Sequence, residues 1–189
     1  MNVCRIKSYA KINLALNVTG KLTLLHKIES IVSFIDLHDL IFIKNTNKKN
    51  HQISFYGKFS QNISSNNTVR KLFVILEEKK LLKDKKFQIK IKKNIPQKAG
   101  LGGGSMNAAS ILNFLIKKKF INISQKKIKY ISNLIGSDVI LGLNSTNIVL
   151  SSNNIIRNFS KCPKFHTLLI RPDFGCSTKK IYLGVKKFT

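Results

Sequence analysis

Residues 95–110, IPQKAGLGGGSMNAAS, place four of the chain's ten glycines within five positions, Gly100 and Gly102 to Gly104, before small and apolar side chains take over. A flexible linker is hydrophilic on both sides; here KFQIKIKKNIP precedes the glycines and AASILNFLI follows them. Phe87, Ile89 and Ile91 alternate with Gln88 and Lys90, the period of a half-buried strand, whereas Ala108, Ile111, Leu112 and Leu115 share one helical face. The stretch is therefore predicted as strand, glycine loop, helix. Such a loop leaves backbone N–H groups free at a helix N-terminus, where unpaired donors and the positive dipole end favour an anion, phosphate foremost. A tight turn without a ligand satisfies the local pattern too.

Two familiar phosphate loops are excluded by spacing. A Walker A loop ends in Gly-Lys-Ser or Gly-Lys-Thr, which these glycines lack, and a G-x-G-x-x-G fingerprint from Gly100 requires glycine where Ser105 stands. At 189 residues the chain is long enough to bury roughly 70% of its unfolded surface. IVSFIDLHDLIFI is broken by Asp36 and Asp39, so no apolar run reaches the ~18 residues of a spanning helix, and MNVCRIKS has no signal-like core. A soluble, cytoplasmic protein is expected. Cys4, Cys162 and Cys176 are odd in number and widely spaced, and read as reduced thiols without a disulfide framework or zinc site.

Thirty-four Lys and Arg against eight Asp and Glu give a net charge of +26, which by itself argues for nucleic acid or an anionic membrane. Only Arg5, Arg70, Arg157 and Arg171 are arginines, the side chain suited to bidentate phosphate and base recognition, and the lysines are spread from end to end. Lys, Asn and Ile dominate together, and all three have codons rich in adenine and thymine. The basicity is read as a by-product of composition, and nucleic acid is disfavoured as the main partner.

Along the chain, Ile12, Leu14, Leu16 and Val18 alternate as a strand, and residues 28–44 form a second extended stretch, so the opening reads as a β-ribbon. ISFYG is a short strand. A helix begins near Thr68 with Val69, Leu72, Phe73 and Leu76 as its stripe. A helix from about Ser124 carries Ile128, Ile131 and Ile135, with Gly136 as its C-cap, and is followed by GSDV. NIVLSS and HTLLIRP are predicted as further strands. No internal repeat or interdomain linker stands out.

With these elements in order, the chain resembles the GHMP kinases, over essentially its whole length. Three stretches carry the resemblance: SYAKINLALNVTGK at the start, IPQKAGLGGGSMNAAS in the middle and LIGSDVILGL further on, with support from ESIVSFIDLHD. The resemblance implies an α+β fold, the GHMP-kinase N-terminal domain of ribosomal S5 domain 2-like, left-handed β-α-β type. On this reading residues 1–158 form the ATP-binding and catalytic domain, and residues 159–189 are only the beginning of the C-terminal domain.

The implied activity is ATP-dependent phosphorylation of the 2-hydroxyl of diphosphocytidyl methylerythritol, in the non-mevalonate route to isoprenoid precursors. Phosphoryl transfer to an alcohol needs a triphosphate cradle, a bridging cation and a proton acceptor. The cradle is expected in the loop formed by Pro96, Gln97, Lys98, Ala99, Gly100, Leu101, Gly102, Gly103, Gly104, Ser105 and Met106. Asp138 matches the family's catalytic base and Lys11 its catalytic lysine; in isolation, an aspartate there is equally a helix N-cap and the lysine a solvated strand residue. Asn13, on the strand face of Lys11, matches a substrate contact. His26 matches the histidine at the cytidine end, and Thr178 and Tyr182 a threonine and a stacking ring. Magnesium is expected to be held mainly by the ATP phosphates, with the Ser105 hydroxyl as a further ligand and no metal site built from protein groups alone.

Three departures from the family pattern are local. LTLLH is one residue shorter than the usual turn before the histidine, Met106 replaces a second serine, and Val139-Ile140 stands where Val-Pro is usual. The fourth is larger: family members continue into a second α+β domain, so a C-terminally shortened enzyme is expected. A homodimer, a complementing chain, an inactive remnant and a basic RNA-binding protein on the same fold stay open as alternatives.

Overall fold

The computed structural model describes residues 2–21, 26–144, 146–153, 155–159 and 166–172, with the single positions 181, 184, 185 and 188. Two long antiparallel strands, β1 (Cys4–Lys21) and β2 (His26–Thr46), make the expected ribbon. Register shifts at Tyr9/Ala10, Asn13/Ala15 and Val18/Gly20 interrupt it, and bulges of this kind increase local twist and bend a ribbon. One edge of β2 is taken by β1. Its other edge is shared: residues 30–32 pair with β5 (Asn147–Leu150), and residues 40–46 pair with β4 (Lys86–Lys92). Residues 33–39 lie between these two ladders, and there Asn147 Oδ1 accepts from Ser33 Oγ at 2.9 Å and Phe34 N at 3.4 Å.

β3 (Gln52–Tyr56) runs parallel to β4 on the far side, and β6 (Ile156–Phe159) closes the other end against β5, giving the order β3-β4-β2-β5-β6 with β1 on β2. The crossover from β3 to β4 carries α1 (Thr68–Glu78), whose first N–H groups at Val69 and Arg70 are capped by Asn67. α2 (Gly103–Lys117) follows the glycines. α3 (Gln125–Ile135) is capped by Ser124 and ends at Gly136, as the sequence predicts.

The alternation in β4 buries Phe87, Ile89 and Ile91 completely, facing Ile41 and Ile43 of β2 and the stripes of α1, α2 and α3. Each large side chain buried there contributes about 1.5–3 kcal/mol of hydrophobic free energy. These mixed elements form the α+β architecture that was expected.

Two readings need correction. Residues 166–172, predicted as a strand, form none: β6 is the last strand of the sheet among the described residues, so no ladder reaches them, and Leu168 and Ile170 are each 85% exposed. β6 itself, from IRNF, was not foreseen, because its two adjacent polar residues, Arg157 and Asn158, leave no apolar alternation to read.

Candidate active site

The helix starts earlier than its sequence suggests. Gly103 and Gly104 are poor helix formers, yet they, Ser105 and Met106 make the first turn of α2, so the last four residues of the expected loop are helical. Close packing explains the glycines. A Cβ on Gly103 would lie 3.0 Å from Ile95 Cγ2, and one on Gly104 3.1 Å from Thr68 Oγ1, whose hydroxyl donates to the Gly104 carbonyl at 2.7 Å. Gly102, the N-cap, has φ 66° and supplies no side-chain cap. Met106 N donates to its carbonyl at 2.9 Å, which leaves the N–H groups of Gly103, Gly104 and Ser105 as the open donors of the helix end. With no acidic residue in this first turn, the end is electrostatically suited to an anion.

β1 brings a lysine to that helix end. Lys11 N donates to Leu101 O at 3.1 Å, which pins the loop to the strand, and the side chain runs under Gly102, where a Cβ would come within 2.9 Å of Lys11 Cγ. Lys11 is only 8% exposed, which rules out the solvated strand lysine. Its ammonium donates to Asn13 Oδ1 at 2.7 Å and lies 3.6 Å from Asp138 Oδ2. Asn13 Nδ2 donates to Ser30 Oγ at 2.6 Å, and Ser30 Oγ to Ala15 O at 2.7 Å, so the amide oxygen is fixed toward the lysine. Sequence reasoning missed Ser30; only its register opposite Leu16 and the bulge between Asn13 and Ala15 bring it there.

Asp138 stands in the turn after α3, and the short 3-10 turn at Leu141–Leu143 has no side-chain cap, so Asp138 is no N-cap there. Its side chain is 37% exposed. Ser105 belongs to the same corner: its Oγ is 3.9 Å from the position of a Cβ on Gly136. The Met106 side chain is buried, with Sδ against Gly142 and Cγ 3.6 Å from the position of a Cβ on Gly102.

Of the other expected site residues, His26 is not gathered here. His26 is half-buried at the far end of the ribbon, paired with Lys21, ten positions along β1 from Lys11 or ~30 Å of strand contour. Thr178 and Tyr182 lie outside the described residues, as do Cys162 and Cys176. Among the described residues no three His, Cys, Asp or Glu side chains cluster as a metal site, and no helix is long and apolar enough to cross a membrane.

An open helix end, a buried lysine and a partly exposed carboxylate thus meet at one corner of the fold. The sequence profile of the GHMP kinases N terminal domain matches residues 67–152, which include the glycine loop and Asp138. Solved structures agree on the fold. A crystal structure of 4-(cytidine 5'-diphospho)-2C-methyl-D-erythritol kinase superposes with a TM-score of 0.64 at 21% identity, over 83% of this chain and 55% of that one. Homoserine kinase from Cytophaga hutchinsonii gives 0.64 at 14% identity, over 100% and 62%.

The sequence relatives are narrower. The 4-diphosphocytidyl-2-C-methyl-D-erythritol kinase of Pelagibacter ubique (strain HTCC1062) is 60% identical over 189 residues, 100% of this chain and 67% of that protein. The enzyme of the same name from Clostridium perfringens (strain 13 / Type A) is 34% identical over 183 residues, 96% of this chain and 63% of that protein. The chain belongs to the 4-diphosphocytidyl-2-C-methyl-D-erythritol kinase family, small-molecule kinases of the GHMP class. It spans about two thirds of the length of these relatives.

Proposed function

We propose that the protein transfers the γ-phosphoryl group of ATP to the 2-hydroxyl of 4-diphosphocytidyl-2-C-methyl-D-erythritol, a step of non-mevalonate isoprenoid precursor synthesis. One observation carries the mechanism: Asp138 Oδ2 and Lys11 Nζ, 3.6 Å apart, sit beside the uncapped N-terminus of α2. Asp138 accepts the hydroxyl proton. Lys11, already oriented by Asn13, stabilises the negative charge that develops on the attacking oxygen.

The free N–H groups of Gly103, Gly104 and Ser105 hold the phosphates, and the glycines fit that role because the backbone lies bare there. ATP supplies the phosphoryl group and leaves as ADP, while the proton remains on Asp138 until solvent removes it. The Ser105 hydroxyl would assist a magnesium ion carried on the phosphates, which would neutralise their charge. Asn13 then has two tasks, since its position next to Lys11 also faces the incoming alcohol. We further assign residues 1–158 to the ATP-binding domain and residues 159–189 to the start of the C-terminal domain. His26, with Thr178 and Tyr182, would serve the cytidine end of the substrate, remote from the transfer itself.

The test is ATP turnover by the purified chain with and without the diphosphocytidyl substrate, beside Asp138→Asn at the same concentrations. Substrate-dependent turnover that vanishes in the variant is the expected result. ATP consumption indifferent to the substrate, or unchanged in the variant, would sink the assignment.

A further inference from the structure

Two aspartates of β2, three residues apart, meet opposite fates. The Asp36 side chain is 89% exposed, whereas that of Asp39 is wholly buried beneath the glycine loop. Asp39 Oδ1 accepts from Asn94 N at 2.7 Å and Ile95 N at 2.9 Å. Asp39 Oδ2 accepts from Asn107 Nδ2 at 3.0 Å and from the buried ammonium of Lys93. These donors lie on both sides of the loop. Lys93, Asn94 and Ile95 form the exit from β4, and Asn107 belongs to the start of α2. A Cβ on Gly103 would lie 3.4 Å from Lys93 Nζ, so the cluster sits directly under the first helical residue.

Asn94 and Ile95 lie outside the strand ladders, so a carboxylate is what satisfies their N–H groups in the interior. A buried ion pair of this kind is often no better for stability than apolar side chains of equal volume. What apolar side chains cannot do is accept two backbone N–H groups and an amide in fixed directions.

We infer that Asp39 is the positioning residue of the glycine loop: its carboxylate ties the exit of β4 to the first turn of α2 and sets where the N–H groups of Gly103 to Ser105 point, without touching the ligand. The nature of that ligand rests on the proposed kinase reading.

The test combines residue-resolved amide exchange with ATP binding by calorimetry, on the unmodified chain, Asp39→Asn and Asp39→Asn/Lys93→Met. In the unmodified chain the Asn94 and Ile95 amides exchange as slowly as those of Ile89 and Ile91. Asp39→Asn speeds exchange at Asn94, Ile95 and Met106 at least tenfold, with Leu112 and Ile131 much less affected, and weakens ATP binding at least tenfold. The double variant removes the unpaired ammonium and leaves the Asn94 and Ile95 N–H groups a neutral amide oxygen, a weaker acceptor than the carboxylate. It therefore regains thermal stability while ATP binding stays about tenfold weak, a split that a purely structural role would not produce.

A folded Asp39 variant that binds ATP within twofold of the unmodified chain overturns the inference, and so does rapid exchange at Asn94 and Ile95 in the unmodified chain. Absence of ATP binding by the unmodified chain defeats the nucleotide reading alone, because the exchange pattern still decides whether Asp39 orders the loop.

Discussion

Two lysine–aspartate pairs flank the glycine loop, and they are built in opposite ways. Lys93–Asp39 is sealed: side-chain exposures are 5% and 0%, and both carboxylate oxygens are filled by backbone and side-chain donors. Lys11–Asp138 is unfinished: the ions are 3.6 Å apart, Asp138 is 37% exposed and, among the described residues, no donor other than Lys11 lies at its carboxylate. A saturated pair holds structure because every lone pair already has a partner. A pair with spare capacity, beside an open helix end, is the one proposed to take a proton and a substrate. Identical residue types thus serve as frame and as chemistry, and the number of donors around each carboxylate separates them.

The largest effect expected at the open pair is on rate. Asp138→Asn removes the proposed proton acceptor and should lower substrate-dependent turnover about 10³-fold, within the range for general-base catalysis, while costing only about 1 kcal/mol of stability, because Asp138 is partly exposed and the buried Lys11 keeps Asn13 Oδ1 as a partner. Steady-state kinetics and chemical denaturation on the same preparation check both halves. The sealed pair should behave in reverse. Asp39→Asn leaves Lys93 as an uncompensated buried charge and should cost about 3–5 kcal/mol by urea denaturation. If Asp39→Asn proved as stable as the unmodified chain, or Asp138→Asn much less so, the contrast between frame and chemistry would collapse.

The sequence made one of these pairs readable and hid the other. Lys11 and Asp138 fall inside motifs that announce themselves, and the strand and helix stripes around the glycines, Phe87, Ile89 and Ile91 against Ile111, Leu112 and Leu115, are periodic enough to place both flanking elements. Asp39 closes the supporting stretch ESIVSFIDLHD, but nothing in the sequence marks it as buried. It and Asp36 both interrupt an apolar run, and the burial of one depends on Lys93, Asn94 and Asn107, more than fifty residues away in sequence. The start of α2 was also illegible, because Gly103 and Gly104 read as loop by propensity and become helical only through packing on Ile95 and Thr68. Ser30 was missed because a β-bulge, not strand alternation, sets its neighbour.

The glycines offer a gentler way to disturb the open pair alone. Gly100 and Gly102 both have positive φ, 72° and 66°, so alanine costs about 1 kcal/mol of backbone strain at either. Their surroundings differ: a Cβ on Gly100 meets nothing within 4 Å, whereas one on Gly102 strikes Lys11 Cγ at 2.9 Å. Gly102→Ala should therefore reduce kcat roughly tenfold by displacing Lys11, and Gly100→Ala should match it in stability with kcat nearly intact. Equal kinetics for the two variants would disconnect Lys11 from the loop.

The smallest effect is expected at a third ionic cluster, remote from the loop. His51 Nδ1 accepts from Phe87 N at 3.0 Å, so its proton is on Nε2, which lies 3.1 Å from Glu77 Oε1 but is not aligned for a hydrogen bond. Burial holds the imidazole below its ordinary 6.5, outweighing the attraction of Glu77. The unfolded chain thus takes up this proton first as pH falls, and the stabilising effect of neutral His51 is complete above 6.5 and lost on acidification through that value down to the lowered folded one. The stability difference between the unmodified chain and His51→Gln should be flat above about pH 7.5 and narrow toward pH 5, by denaturation at each pH. A difference that widens instead would mean that Glu77 dominates, turning this cluster into an ion pair comparable to the two at the loop.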